Sequence, residues 1–382
     1  MRIRTTRLAT LAVAAALTLG GSVAVTSSAQ ATDASADANV SARGGLGIVD
    51  NASAVANPDG TYTISWADRR PGPMRVYAST DVDRFTQVVG NTTGTTLTVT
   101  GLDPAKRWYF NVTPAGPFIG VVTAPRSLGL EAAPNARDIG GYRTTWGLTV
   151  KYGKAFRTDA LGKATDKDVA KLASLGLNVA ADFRTDVEIA GNGANKVPAG
   201  TTIKNLPISD GNLTNIINGA VGSMDPVKQQ EMLGDGKAAA ALETIYKGFI
   251  NDPAQRAQFA TVVRDLADGK TVAYNCTAGK DRTGWGTTVL LLAAGVDEAG
   301  VREEYLAVNP AVRAMYAPFL QQFADVGGDP DLLVPLLQVR EEYLDAALGA
   351  VAERFGSFGG YLRDGLGLRD DEVATLRDVL LD

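Results

Sequence analysis

The segment CTAGKDRTG at 276–284 concentrates the chemistry of this chain. An apolar run, TVAYN at 271–275, precedes it, and WGTTVLLLAAGV at 285–296 follows with the texture of a buried helix. Cys276 therefore leaves the end of a buried strand, where its side chain faces the opening of the sheet. Five residues loop before Arg282, and a helix starts near Thr283. Such a loop turns the backbone N–H groups of Thr277, Ala278, Gly279 and Lys280 inward, and with the helix N-terminus they form an anion cradle. Arg282 can reach back as a planar fork onto two phosphate oxygens. A thiol in that field ionises below its free value of about 8.5 and becomes a nucleophile. Gly279 relieves the backbone where no Cβ would fit, and the Thr283 hydroxyl can donate toward the thiolate. These parts predict attack at phosphorus through a Cys-phosphate intermediate.

Rival readings fit less well. A Walker A loop needs Ser or Thr after its Lys, but Asp281 follows Lys280, and its first Gly would fall at Tyr274. A rhodanese-type sulfur carrier leaves the Arg-Thr-Gly run into the helix unexplained. A thiol oxidoreductase needs a resolving thiol, and the chain holds one Cys.

CTAGKDRTG resembles the signature loop of the protein tyrosine phosphatase superfamily, in the C-x-A-G-K-D-R-T-G form of secreted bacterial tyrosine phosphatases. NARDIGGYRT at 135–144, KYGKAFRTDAL at 151–161, DFRTDVE at 182–188 and YLRDGLGLRDDEV at 361–373 extend the likeness. The resemblance implies Cys276 as nucleophile and Arg282 as the phosphate-binding and transition-state group. It also implies that Lys280 and Asp281 are an extra polar pair associated with phosphoinositide as well as phosphotyrosine turnover. Where the family carries His before the Cys, this chain has Asn275, an amide that donates hydrogen bonds but holds no charge.

The leaving tyrosinate needs a proton, because its free pKa is near 10. Asp182, at the end of the strand in DFRT, is the first candidate donor. Asp281 in the loop is second, and Asp210 in PISDG is third. Ion pairing of Asp182 with Arg184 is the competing reading. Asp138 in ARDIGG reads as a structural partner holding Arg282 or a loop, and Arg184 either adds positive potential at the mouth or forms an ion pair.

Composition sets the frame for these residues. The 382-residue chain is 45% hydrophobic and 21% charged, which leaves enough apolar material for a sizeable core. A net charge of −5 supplies no global field to gather nucleic acid. The absence of any His excludes imidazole metal sites and the usual Ser-His-Asp and Cys-His hydrolases, so neither a metal nor a cofactor is expected.

The elements that must position the loop follow from the change of sequence rhythm. Residues 1–31 read as a signal peptide, with a basic start, an apolar run and a small-x-small site at Ala29 and Ala31. Secretion is therefore expected, with no stable membrane span after cleavage. Residues 32–46 read as a flexible lead-in. Short Thr-, Val- and aromatic-rich runs over 47–125 predict a small all-β sandwich, resembling a fibronectin type III domain through Trp66 and the stretch at 97–114. From 126 to 382 the strand, helix, strand order predicts an α/β domain with a central, largely parallel sheet flanked by helices. A capping box at Thr165 and Asp168, strands at 154–158, 177–185 and 271–275, helices over 238–268 and 297–355, and a last helix capped by Asp370 complete it. The Gly-, Asn- and Met-rich stretch 211–237 is expected to be a mobile insertion near the site. The expected partner is a phosphorylated protein or lipid. The alternative is a phosphatase-like module that binds phosphorylated ligands with little turnover, a reading that Asn275 sustains.

Overall fold

The computed structural model describes residues 49–68, 72–115 and 120–382. The expected signal peptide at 1–31 and lead-in at 32–46 lie outside the described residues. Two small antiparallel sheets come first, together resembling a β-sandwich. One has strand order β1-β2-β5 (Val49–Ala56, Tyr62–Asp68, Thr96–Val99), and the other β4-β3-β6-β7 (Gln87–Thr92, Met74–Ser79, Tyr109–Pro114, Val121–Thr123). Ile64, Trp66, Val76, Phe110 and Val112 fill the space between them, alternating along their strands with residues that face out. Trp66 is thus a core anchor, as its position in TYTISW suggests.

The α/β domain is built on a five-stranded sheet of order β11-β10-β12-β9-β8. Strands β9 (Ala155–Thr158), β12 (Val272–Asn275), β10 (Val179–Asp182) and β11 (Thr202–Asn205) run parallel, and β8 (Arg137–Asp138) is antiparallel at one edge. The three inner parallel strands are buried along their whole length, as expected when helices cover both faces. Helix α1 (Asp166–Ala173) begins with the expected capping box, the Thr165 hydroxyl and the Asp168 carboxylate each accepting from the other's backbone N–H.

Two details differ from expectation. The stretch 211–237 is not an unstructured insertion: it folds as α3 (Leu213–Ser223) and α4 (Pro226–Leu233), with Ile217, Val221 and Leu233 in the main core. Tertiary burial of an apolar face stabilises helices whose composition alone would not hold them. In the last helix (Asp370–Leu380), Arg369 takes the cap position and Asp370 is the first helical residue.

Candidate active site

Register places the loop. In the parallel sheet Asn275 lies level with Thr158 on one neighbour and with Asp182 on the other. Cys276, one residue further, emerges at the carboxyl edge, where open α/β sheets bind their ligands. Helix α7 (Asp281–Ala294) begins directly after the loop and is buried at every position except Leu292. No side chain caps its N-terminus, so its first N–H groups remain free for an anion.

The loop is held by its carbonyls, all turned outward. The Cys276 carbonyl accepts from Asn275 Nδ2 at 3.2 Å, and that of Thr277 from the Ala160 N–H at 3.1 Å. Asn135 Nδ2 donates to Ala278 O at 3.1 Å and to Gly279 O at 3.0 Å, and Arg157 Nη2 also reaches Gly279 O, at 2.6 Å. With carbonyls out, the N–H groups face the interior, and those of Thr277, Ala278, Gly279 and Lys280 make no hydrogen bond among the described residues. Gly279 has φ +66°, and a Cβ there would lie 2.6 Å from the Thr158 carbonyl oxygen. The turn therefore requires glycine.

Arg282 does reach back over the loop, and its guanidinium is fixed by a residue that sequence reasoning missed. Glu188, on helix α2 (Asp186–Asn192), accepts from Arg282 Nη2 at 2.6 Å and Nη1 at 2.8 Å, and from the Thr277 hydroxyl at 2.6 Å. Burial pushes the Glu188 carboxyl up, but Arg282 and Thr277 outweigh it and hold the group down to about 2. Burial alone would lower the Arg282 pKa, yet Glu188 and the Cys276 sulfur raise it above its ordinary value. Thr185-x-x-Glu188 is itself a capping box, which was the available sequence signal.

The remaining predicted residues fall into two groups. Asp182 and Arg184 form a fully buried ion pair, with Arg184 Nη2 2.7 Å from Asp182 Oδ2. Arg184 therefore faces the interior and not the mouth. Asn275 Nδ2 also donates to Asp182 Oδ1 at 3.2 Å, and Asn195 Nδ2 donates to Asn275 Oδ1 at 2.7 Å. Asn275 thus joins a neutral amide network beside the Asp182 pair. Asp138 does not hold Arg282. It accepts from the Gly140 and Gly153 N–H groups, both at 2.9 Å, and pairs with Arg107 of the N-terminal sheets at 3.2 Å.

Asp281 stays with the loop. Its carboxylate accepts from Lys280 Nζ at 2.7 Å and from the Tyr246 hydroxyl at 3.0 Å, and Tyr246 accepts in turn from the Tyr305 hydroxyl at 2.8 Å. Lys280 Nζ also donates to the Leu336 carbonyl at 2.9 Å, so its ammonium is buried against helix α10 (Pro330–Leu337). Asp210 lies just before α3, accepting from the Thr214 N–H at 3.0 Å and from the Thr214 hydroxyl at 2.6 Å. The Thr283 hydroxyl is buried with no partner among the described residues, which leaves its proton free to donate. Two further side chains were not foreseen. Asp159 follows β9 as Cys276 follows β12, and burial pushes its carboxyl up to about 7 against hydrogen bonds from its own backbone, Thr158 and Asn135. Burial likewise raises the Tyr316 phenol, and the negative charges of Asp281, Cys276 and Asp159 add to the rise.

A strand-loop-helix anion cradle with a buried thiol and a locked guanidinium, on a mostly parallel sheet, defines a tyrosine phosphatase. Residues 128–382 match the tyrosine phosphatase family, and the chain belongs to it. It is 31% identical over 274 residues to a Cupriavidus necator protein assigned as a tyrosine-protein phosphatase, covering 70% of this chain and 92% of that one. It is 32% identical over 279 residues to the triple specificity protein phosphatase PtpB of Mycobacterium tuberculosis, covering 66% of this chain and 98% of the relative. Among the described residues, no helix is long and apolar enough to cross a membrane.

Proposed function

We propose that this chain hydrolyses phosphotyrosine and other aryl phosphate monoesters, with weaker activity on phosphoinositides or phosphoserine. In this reading Cys276 attacks phosphorus and the phosphorus–oxygen bond to the leaving group breaks. The loop N–H groups and Arg282 hold the equatorial oxygens. A carboxylic acid protonates the departing oxygen, and the same carboxylate then accepts a proton from the water that cleaves the Cys-phosphate. No step calls for a metal or cofactor.

The observation that carries this reading is the run of four outward carbonyls from Cys276 to Gly279, with Arg282 locked by Glu188. For the acid, the geometry favours Asp281 over Asp182. Both carboxylates have their oxygens occupied, Asp182 by Arg184 and Asn275 and Asp281 by Lys280 and the Tyr246 hydroxyl, and Asp281 is preferred because it directly follows the loop. A relative named for triple specificity supports a substrate range wider than phosphotyrosine. The basic and apolar residues 1–31 support export with cleavage after Ala31, and the split into three and four strands supports a fibronectin type III-like module ending near residue 125.

The test is Cys276→Ser in the full chain, assayed on an aryl phosphate. Turnover should vanish while the circular dichroism spectrum and melting temperature persist. Retained turnover, or loss of wild-type turnover on chelation alone, would overturn the reading. Tight vanadate binding with negligible turnover across aryl, peptide and lipid phosphates would instead favour a phospholigand-binding module.

A further inference from the structure

The N-terminal sandwich is fastened to the α/β domain at the one short strand that also supports the phosphate loop. Strand β8 is two residues long, and its side chains serve opposite sides. Asp138 is buried against the sandwich. It accepts from Arg107 Nη2, whose other terminal nitrogen donates to the Pro125 carbonyl. The Arg107 backbone N–H donates to the Ser174 hydroxyl at 2.7 Å, and its guanidinium lies 5.2 Å from the Tyr109 ring centre. Tyr109, Ala124 and Tyr152 form a small core shared by the two domains. Gly153 packs so closely there that a Cβ would meet the Tyr109 hydroxyl at 2.9 Å.

Arg137, the neighbour of Asp138, turns toward the site. Its Nε donates to Glu304 at 2.8 Å, and its Nη1 donates to Asn135 Oδ1. That contact orients the Asn135 amide, whose Nδ2 holds the Ala278 and Gly279 carbonyls. Glu304 also anchors Arg157, the second donor to Gly279 O, at 2.7 Å. Two sets of polar contacts therefore meet at β8, joined by its backbone: one reaches the sandwich through Asp138, the other the back of the loop through Arg137.

We propose that Arg107 of the sandwich is a positioning residue for the phosphate loop, acting through Asp138 on β8 and so on Arg137 and Asn135. The inference rests on the phosphatase reading for its kinetic arm. Its physical basis is the cost of a lone buried carboxylate. Without Arg107, Asp138 must protonate or turn toward water, and either change weakens its hold on the Gly140 and Gly153 N–H groups, which tie β8 to the segment leading into β9. A shift at β8 moves Asn135, and loop geometry is sensitive to displacements well below 1 Å.

The experiment compares full-length Arg107→Met and Lys154→Met with the wild type, well below every melting temperature. Lys154 bridges the same seam through Asp83 at 3.1 Å but touches neither β8 nor the loop through its side chain. Arg107→Met should lower kcat about 10-fold and weaken inorganic vanadate binding in parallel, with Lys154→Met unchanged in both. A role in stability alone would lower the melting temperature and leave both readouts intact, and that outcome overturns the proposal. Should Arg107→Met fail to fold, Arg107→Lys keeps the charge but cannot span both Asp138 and Pro125. It should then bind vanadate several-fold more weakly, and wild-type affinity in it would reject the idea. Vanadate binding by calorimetry reads the loop even if turnover of aryl phosphates were absent, so failure of the phosphatase reading remains separate.

Discussion

The Glu188 carboxylate grips the Arg282 guanidinium with two hydrogen bonds, across 94 positions of sequence. The pair fixes the fork that faces phosphate while Glu188 also receives the Thr277 hydroxyl. Glu188→Gln keeps the shape and removes the charge. We expect kcat/KM on an aryl phosphate to fall about 10²-fold, with weaker vanadate inhibition. Unchanged vanadate affinity would show that Arg282 needs no such anchor.

The same pair sets an acid limit on stability. The folded pKa of Glu188 is about 2, below its ordinary 4.5. A depressed carboxyl contributes stability that is complete above its unfolded pKa and disappears as pH falls through the folded one. Wild type should therefore lose stability relative to Glu188→Gln between pH 4.5 and 2. Denaturant midpoints measured across that window check it, and parallel curves would contradict it.

Asp159 works in the opposite sense. Its folded pKa is about 7 against an ordinary 3.8, so the folded chain holds the proton more tightly. Its contribution falls as pH rises from 3.8 to 7 and is level above that. Asp159→Asn should flatten the pH dependence of stability across this range and should be more stable than wild type at pH 7.5. A variant that keeps the wild-type slope would reassign the titration.

The two candidate acids should separate by leaving group. Asp281→Asn is expected to slow substrates with poor leaving groups by about 10²–10⁴-fold and activated aryl phosphates far less. Asp182→Asn leaves Arg184 buried with a weaker partner, so its main effect should be a lower melting temperature. Leaving-group dependence in Asp182→Asn and none in Asp281→Asn would reverse the assignment.

Gly279→Ala probes the turn itself. The new Cβ meets the Thr158 carbonyl at 2.6 Å in a backbone conformation that alanine resists. Loss of vanadate binding with a modest drop in melting temperature is expected. Retention of both would mean that β9 gives way at little cost.

What was legible in the chain was local. Cys276 to Gly284 is contiguous, so strand, loop, Arg and helix could be read in one pass. The capping box at Thr165 and Asp168 was legible for the same reason. Glu188 was hidden because its partner lies far along the chain, although its own capping box was in plain view. Asn135 and Arg157 sat in segments that attracted notice, yet nothing local says that their side chains reach loop carbonyls. Residues 213–233 misled because Gly, Asn and Met argue for a loop until the core that covers Ile217 and Leu233 is known. Arg107 gave no signal, and Asp138 was legible as a structural partner but not as one of the sandwich, since a domain seam has no period.

The outward-held carbonyls of residues 276–279 have a further effect, at the end of the reaction cycle. A cradle that needs no rearrangement to accept a phosphoryl group needs none to accept free orthophosphate. The product is a tetrahedral anion of the same size, and the loop N–H groups cannot tell it from the group just cleaved. Inorganic phosphate should therefore compete directly with substrate, and turnover in a phosphate-rich medium should be throttled by the enzyme's own product.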